Sequence, residues 1–159
     1  MSRANHLDAA GRARMVDVGA KKPTLRRAVA GGEVCFNEEA FDALSSNRLA
    51  KGDALAVARL AGLQAAKRTA DWIPLCHVVP LDHLEIEVEL DDERRIAVVK
   101  ATAAAHGRTG VEMEALVAVT AACLALYDMA KSLDRAIRIG DIRLLSKSGG
   151  RSGSFTAEP

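Results

Sequence analysis

The sequence predicts an α+β domain in which helices cover one face of an antiparallel sheet. Leu84, Ile86, Val88 and Leu90 alternate with Glu85, Glu87 and Glu89, the period-two pattern of a half-buried strand. The uncharged run from Ala115 to Tyr127 is apolar around most of a helical circumference, so it belongs between a sheet and a second partner. Alanine occupies 30 of the 159 positions and aromatic residues only 3%, which favours helices lying close against a sheet over large aromatic anchors.

Residues 1–23 mix Arg, Lys, Gly and Ala with no sustained period and end at Pro23, reading as a mobile arm ahead of one domain over 24–159. Leu25, Val29, Val34 and Phe36, interrupted by Gly31-Gly32, describe a strand with a bulge or kink. Asn37 caps a short helix whose Glu38 and Glu39 lie at its positive end, with Asn47 as its stop. Asp53 caps a second helix, with Val57, Leu60, Ala61 and Gln64 at helical spacing, that runs to about Lys67 or Thr69. Pro74 breaks it, and residues 75–81 form an apolar loop.

The strand of Leu84 to Leu90 turns at Asp91-Asp92-Glu93-Arg94, and residues 95–106 return beside it. Thr109-Gly110-Val111-Glu112 matches a capping box and opens a long helix over about 110–133. A final strand over 137–145 leads into a flexible, glycine-rich tail through Lys147 and Arg151. Strand, helix, helix, strand, strand, helix, strand is the order of a ferredoxin-like fold with one extra helix. The chain contains no internal repeat.

Composition narrows the function classes. A net charge of +1 argues against nucleic-acid binding by bulk counterion release. Cys35, Cys76 and Cys123 form an odd, widely spaced set without a C-x-x-C pair, as expected of a reduced cytoplasmic chain. Residues 1–6 lack the apolar region of a signal peptide, and the uncharged run is shorter than the ~20 residues of a membrane span.

Among polar groups, Asp128 and Lys131 stand three apart on one helical face. They read either as an ordinary surface ion pair near a helix C-terminus or as a pair that exchanges protons. Lys51 precedes a helix N-cap, where amides favour anions, or is simply solvated. Lys67-Arg68 complement a helix dipole. Lys147 and Arg151 among glycines have the makings of a phosphate cradle without the pattern of a Walker A loop. Cys76, His77 and His83 match no compact zinc spacing, and His77 in an apolar loop suits a substrate contact or proton carrier better than a metal. Glu112 is accounted for by the capping box, whereas Glu114 is not.

Met15-Val16-Asp17-Val18, Lys51-Gly52-Asp53, the run from Ala61 to Thr69, Ile73-Pro74-Leu75-Cys76-His77, the run from Thr109 to Leu116, Tyr127-Asp128-Met129 with Lys131, and the run from Arg143 to Gly150 together resemble the molybdenum cofactor biosynthesis protein C family, the cyclic pyranopterin monophosphate synthases. The resemblance covers about residues 15–153. It implies a ferredoxin-like subunit in a homohexamer, a trimer of dimers, with active sites between subunits. It also implies a cyclic dihydroguanosine triphosphate substrate, made by an upstream radical S-adenosylmethionine enzyme. That substrate is rearranged to a tricyclic pyranopterin with closure of a cyclic phosphate and release of diphosphate.

By the same resemblance Asp128 is catalytic, Lys51 and Lys131 match essential lysines, and Leu75, Cys76, His77, Met113 and Glu114 bind substrate. Glu112, Lys67, Arg68 and Lys147 join the substrate-binding set, the cations because a triphosphate needs several of them. No resident cofactor or metal is implied, and Mg2+ enters only with the triphosphate. Crowded cations would lower the pKa of Lys131 and Asp128 would raise it; the sequence leaves the balance open. One departure stands out: Val78-Val79 intervene before Pro80, where the family usually has proline directly after histidine. Two rivals are a ferredoxin-like RNA-binding or regulatory module, against which stands the lack of stacking aromatics over 84–106, and a purely structural assembly subunit.

Overall fold

The computed structural model describes Leu7 and residues 10–158. Residues 1–6, 8 and 9 of the arm, and residue 159, lie outside the described residues. The elements are β1 (Thr24–Cys35), α1 (Glu38–Ser45), α2 (Ala54–Ala66), α3 (Thr69–Trp72), β2 (His83–Asp91), β3 (Ile96–Gly107), α4 (Glu112–Ala130), β4 (Arg138–Ser148) and β5 (Phe155–Thr156). They form one antiparallel sheet in the order β2-β3-β1-β4-β5. The first four strands have the ferredoxin-like arrangement, and the helices pack on one face as the patterning requires.

The alternation in β2 turns Ile86 and Val88 into the core and leaves the glutamates outward. In β1 the bulge falls where the glycines predict it, with register shifts against β4 between Val29 and Ala30 and between Gly31 and Glu33. The abundance of alanine is explained by α4. It lies across a floor of Ala28, Ala30, Ala101, Ala103 and Ala105, and its own Ala115, Ala118 and Ala122 are fully buried. Gly32 and Gly62 set the approach: a Cβ at Gly32 would come 2.8 Å from Val119 Cγ1, and one at Gly62 would come 3.0 Å from the Ala118 carbonyl oxygen.

The ends of α1 follow the sequence. Asn37 Oδ1 accepts the Ala40 N–H at 2.8 Å, and Asn47 takes a positive φ of 52° just past the helix. The Asn37 N–H itself donates to buried Asp134 at 2.8 Å, tying α1 to the turn after α4. Replacing Asn37 by alanine is expected to lower stability by about 1 kcal/mol, read as a lower urea midpoint with an unchanged slope. An unchanged midpoint would contradict the cap's role.

Four expectations need correction. First, the capping box does not form: α4 starts at Glu112 behind Val111, with no side-chain cap. The Glu112 carboxylate lies back over Gly110, where any Cβ would collide with it, and faces Lys147 Nζ at 3.7 Å. That charge partner, brought by the sheet, outcompetes Thr109. Second, α4 ends at Ala130 with Lys131 as its C-cap, so Leu133 and Asp134 belong to the turn that follows.

Third, a short helix, α3, follows α2 before Pro74, held by the Thr69 hydroxyl donating to the Ala66 carbonyl at 2.9 Å. Fourth, β4 runs on to Ser148, and Phe155–Thr156 return as an edge strand on it. By length and composition alone the 19 residues of α4 would suffice to cross a membrane, although its uncharged run falls short, as expected. It is instead the core helix, packed between the sheet and α2.

Candidate active site

Three side chains meet at the C-terminal end of α4. Asp128 Oδ2 lies 2.6 Å from Lys51 Nζ, and Asp128 Oδ1 lies 2.6 Å from Lys131 Nζ. Lys51 also donates to the Asp128 backbone carbonyl at 2.7 Å, so it meets the negative end of the helix as well as the carboxylate. The i, i+3 spacing on α4 brings Lys131 to Asp128, while the turn before the Asp53 cap delivers Lys51 from 77 residues away. All three are about half exposed.

The Lys131 and Lys51 ammonium groups, in that order, hold the Asp128 carboxyl well below its ordinary 3.8, at about 2. In return the Asp128 hydrogen bond raises Lys131. The balance left open by the sequence thus falls to the carboxylate, and through neutral pH the group is one anion between two cations. Because the folded pKa of Asp128 is depressed, its pairing stabilises the fold fully above pH 3.8 and the contribution is lost as pH falls through about 2. Solvent screening keeps that contribution small. An NMR titration of the Asp128 carboxyl carbon is expected to show a midpoint near 2, moving up towards the ordinary range in Lys131→Ala. A midpoint unmoved by that change would rule out the lysine as the cause.

At the other end of α4 lies a pocket of about 250 Å³. Leu75, Cys76, His77, Glu112, Met113 and Glu114 all line it, two sequence-distant segments meeting where α4 begins. Glu114 is buried; burial first, and then repulsion from Glu112, raise its pKa despite a lowering hydrogen bond from its own backbone. Burial and the same Glu114 charge raise the Cys76 thiol. A raised carboxyl among apolar walls is suited to reading a polar heterocycle by hydrogen bonds.

Val16, Val18 and Lys21 close the pocket from the N-terminal segment, and Val79, Thr109 and Gly110 complete its lining. The sequence marks none of these six as a site residue from its chemistry, although the motifs at 15–18 and 109–116 carry part of the resemblance. Val79, one of the two inserted valines, lines the pocket, whereas Val78 is 83% exposed and does not. The insertion therefore leaves His77 in the pocket wall.

The structure divides the remaining candidates. Lys147 reaches the pocket through Glu112 and is further held by Ser152. Lys67 and Arg68 stand exposed where α2 gives way to α3 and line neither the pocket nor the triad. Among the described residues no group of three or more His, Cys, Asp and Glu side chains is gathered as for a metal. Strands β1 to β4 carry no Phe, Tyr or Trp, so the sheet offers no central stacking platform for RNA.

Within one chain the pocket and the triad do not meet. Glu112 and Asp128 are sixteen helical residues apart, about 24 Å. The outward strip joining them runs through Met113, Leu116, Thr120 and Leu124 at helical spacing, with Leu124 48% exposed. Val57 and Leu60 of α2 are also exposed apolar side chains.

Comparison with known proteins gives one family model, the MoaC family, which matches residues 15–150. A cyclic pyranopterin monophosphate synthase from Roseiflexus sp. (strain RS-1) is 54% identical over 155 residues, covering 98% of each chain. The synthase of Parvibaculum lavamentivorans is 51% identical over 153 residues and 96% of each chain. Molybdenum cofactor biosynthesis protein 1 of Bos taurus is 53% identical over 94% of this chain, which matches 24% of that longer protein.

Proposed function

Because the chain belongs to the MoaC family, we propose that it is a cyclic pyranopterin monophosphate synthase, a lyase of molybdenum cofactor biosynthesis. Its substrate is (8S)-3',8-cyclo-7,8-dihydroguanosine 5'-triphosphate, supplied by a radical S-adenosylmethionine enzyme. The atoms rearrange to the tricyclic pyranopterin, an oxygen of the former ribose closes on the α-phosphorus, and the bond from that phosphorus to the bridging oxygen breaks to release diphosphate. No net oxidation occurs. The enzyme works without a resident cofactor, with Mg2+ as counter-ion of the triphosphate, in the cytoplasm.

The observation that carries this reading is the Asp128 carboxylate held between two ammonium groups at 2.6 Å each. Ring opening and reclosure need protons moved at carbon-bound nitrogen and oxygen, and such a triad both gives and receives them. Lys131, kept protonated by Asp128, is the proton donor of the resting site. Lys51 assists proton transfer or the attack on phosphorus, and both lysines oppose the charge that develops there. Leu75, Cys76, His77, Met113, Glu112 and Glu114 hold the pterin end, while Lys67, Arg68 and Lys147 are the outlying cations for the phosphates.

The 24 Å between pocket and triad is resolved by assembly. A two-fold axis across the outward strip of α4 sets the helices of two chains antiparallel, so Asp128 of one faces the pocket of the other. The exposed Leu124, Leu60 and Val57 supply apolar surface for that contact. Three such dimers make the hexamer. The test is diphosphate release and pterin formation when the purified chain meets the cyclic triphosphate. Turnover supports the reading, and its absence from a folded hexamer would refute it.

A further inference from the structure

A second cavity, of about 660 Å³, lies on the sheet face away from the helices, between strands β1, β3 and β4 and the returning tail at β5. Its size is that of a small-molecule site. Arg27, Lys100 and Arg143 line it, against one carboxylate residue, Glu158. Lys147 borders it too, but its ammonium is already engaged by Glu112 and Ser152.

The register explains why these cations gather. Lys100 of β3 and Arg143 of β4 both pair with Gly31 of β1, one on either side. Arg27 stands four residues back along β1 on the same face, about 13 Å away at 3.3 Å per residue. Lys100 is paired with Glu87 at 3.2 Å. Arg143 donates to the Glu158 backbone carbonyl at 3.2 Å, and neither it nor Arg27 has an ion pair among the described residues. Two guanidinium forks without carboxylate partners thus face one hollow, each free to take an anion in bidentate fashion.

We propose that this cavity binds a polyphosphate chain. A single phosphate reaches one end of the cation row, whereas linked phosphates reach both Arg143 and Arg27. Thr102, Ser146 and Ser154 line the same hollow, and their hydroxyls add donors beside the guanidinium groups. Phe155, 45% exposed on the rim, offers a flat apolar surface beside the phosphates.

The test is calorimetric titration of the full chain with tripolyphosphate, inorganic phosphate and GTP. Tripolyphosphate is expected to bind at least about tenfold more tightly than phosphate. The Arg27→Ala, Arg143→Ala double variant is expected to weaken that binding by at least about tenfold, and Arg27→Lys, Arg143→Lys to retain most of it, which separates lost charge from lost fold. The Lys51→Ala, Lys131→Ala variant keeps this binding event. GTP no tighter than tripolyphosphate assigns an inorganic chain. Tighter GTP binding, lost in Phe155→Ala, assigns a nucleotide. Binding unchanged in the double alanine variant, or abolished with Lys51 and Lys131, would overturn the proposal. Because the readout is binding, it stands or falls separately from turnover.

Discussion

Replacing Asp128 by alanine is expected to lower turnover by between about 100- and 10,000-fold while the chain stays folded. The carboxylate organises both lysines, at 2.6 Å each, so its loss leaves two ammonium groups repelling each other with neither aimed. Lys51→Ala and Lys131→Ala are expected to fall into the same range. Combining either with Asp128→Ala costs far less than the product of the two effects, because the three act as one unit. The side chains are half exposed and contribute little to the core, so circular dichroism and the urea midpoint should barely move. Steady-state release of diphosphate checks this, and full turnover in Lys131→Ala would sink the proton-transfer role.

The parts of this molecule legible in the sequence are those set by near neighbours. The strand of Leu84 to Leu90 has one wet and one dry face, so its period survives unaltered. The Asn37 and Asp53 caps act over three residues and form as spelled. Asp128 and Lys131 lie three apart on one helix, and their pairing is a local fact.

What was not legible depends on residues brought in by the fold. The capping box at Thr109 gave way because β4 carries Lys147 to Glu112, a competitor that no window around residue 109 contains. Lys51 joins Asp128 across 77 positions, and only the family resemblance singled it out as essential. The edge strand at Phe155–Thr156 has two residues and no period to read. Val16, Val18 and Lys21 enter the pocket from a stretch whose composition resembles a loose arm.

Co-expressing Asp128→Ala and His77→Ala chains in equal amounts is expected to restore about a quarter of wild-type turnover, although each variant alone is inactive. The fraction follows from the symmetry of the proposed dimer. Half of randomly formed pairs contain one chain of each kind. In such a pair, one site takes its triad from the His77→Ala chain and its pocket from the Asp128→Ala chain, and is intact. The other site carries both lesions. Two separately tagged chains, purified through both tags and assayed for diphosphate release, measure this directly. No recovery in verified mixed assemblies would refute the shared site, and pocket and triad could then act together only if α4 rearranged to close about 24 Å within one chain. A core helix seated on buried Ala115, Ala118 and Ala122 resists such a movement, because close-packed interiors do not deform continuously. In the proposed dimer the short route between pocket and triad runs instead through a second copy, along the strip from Met113 to Leu124.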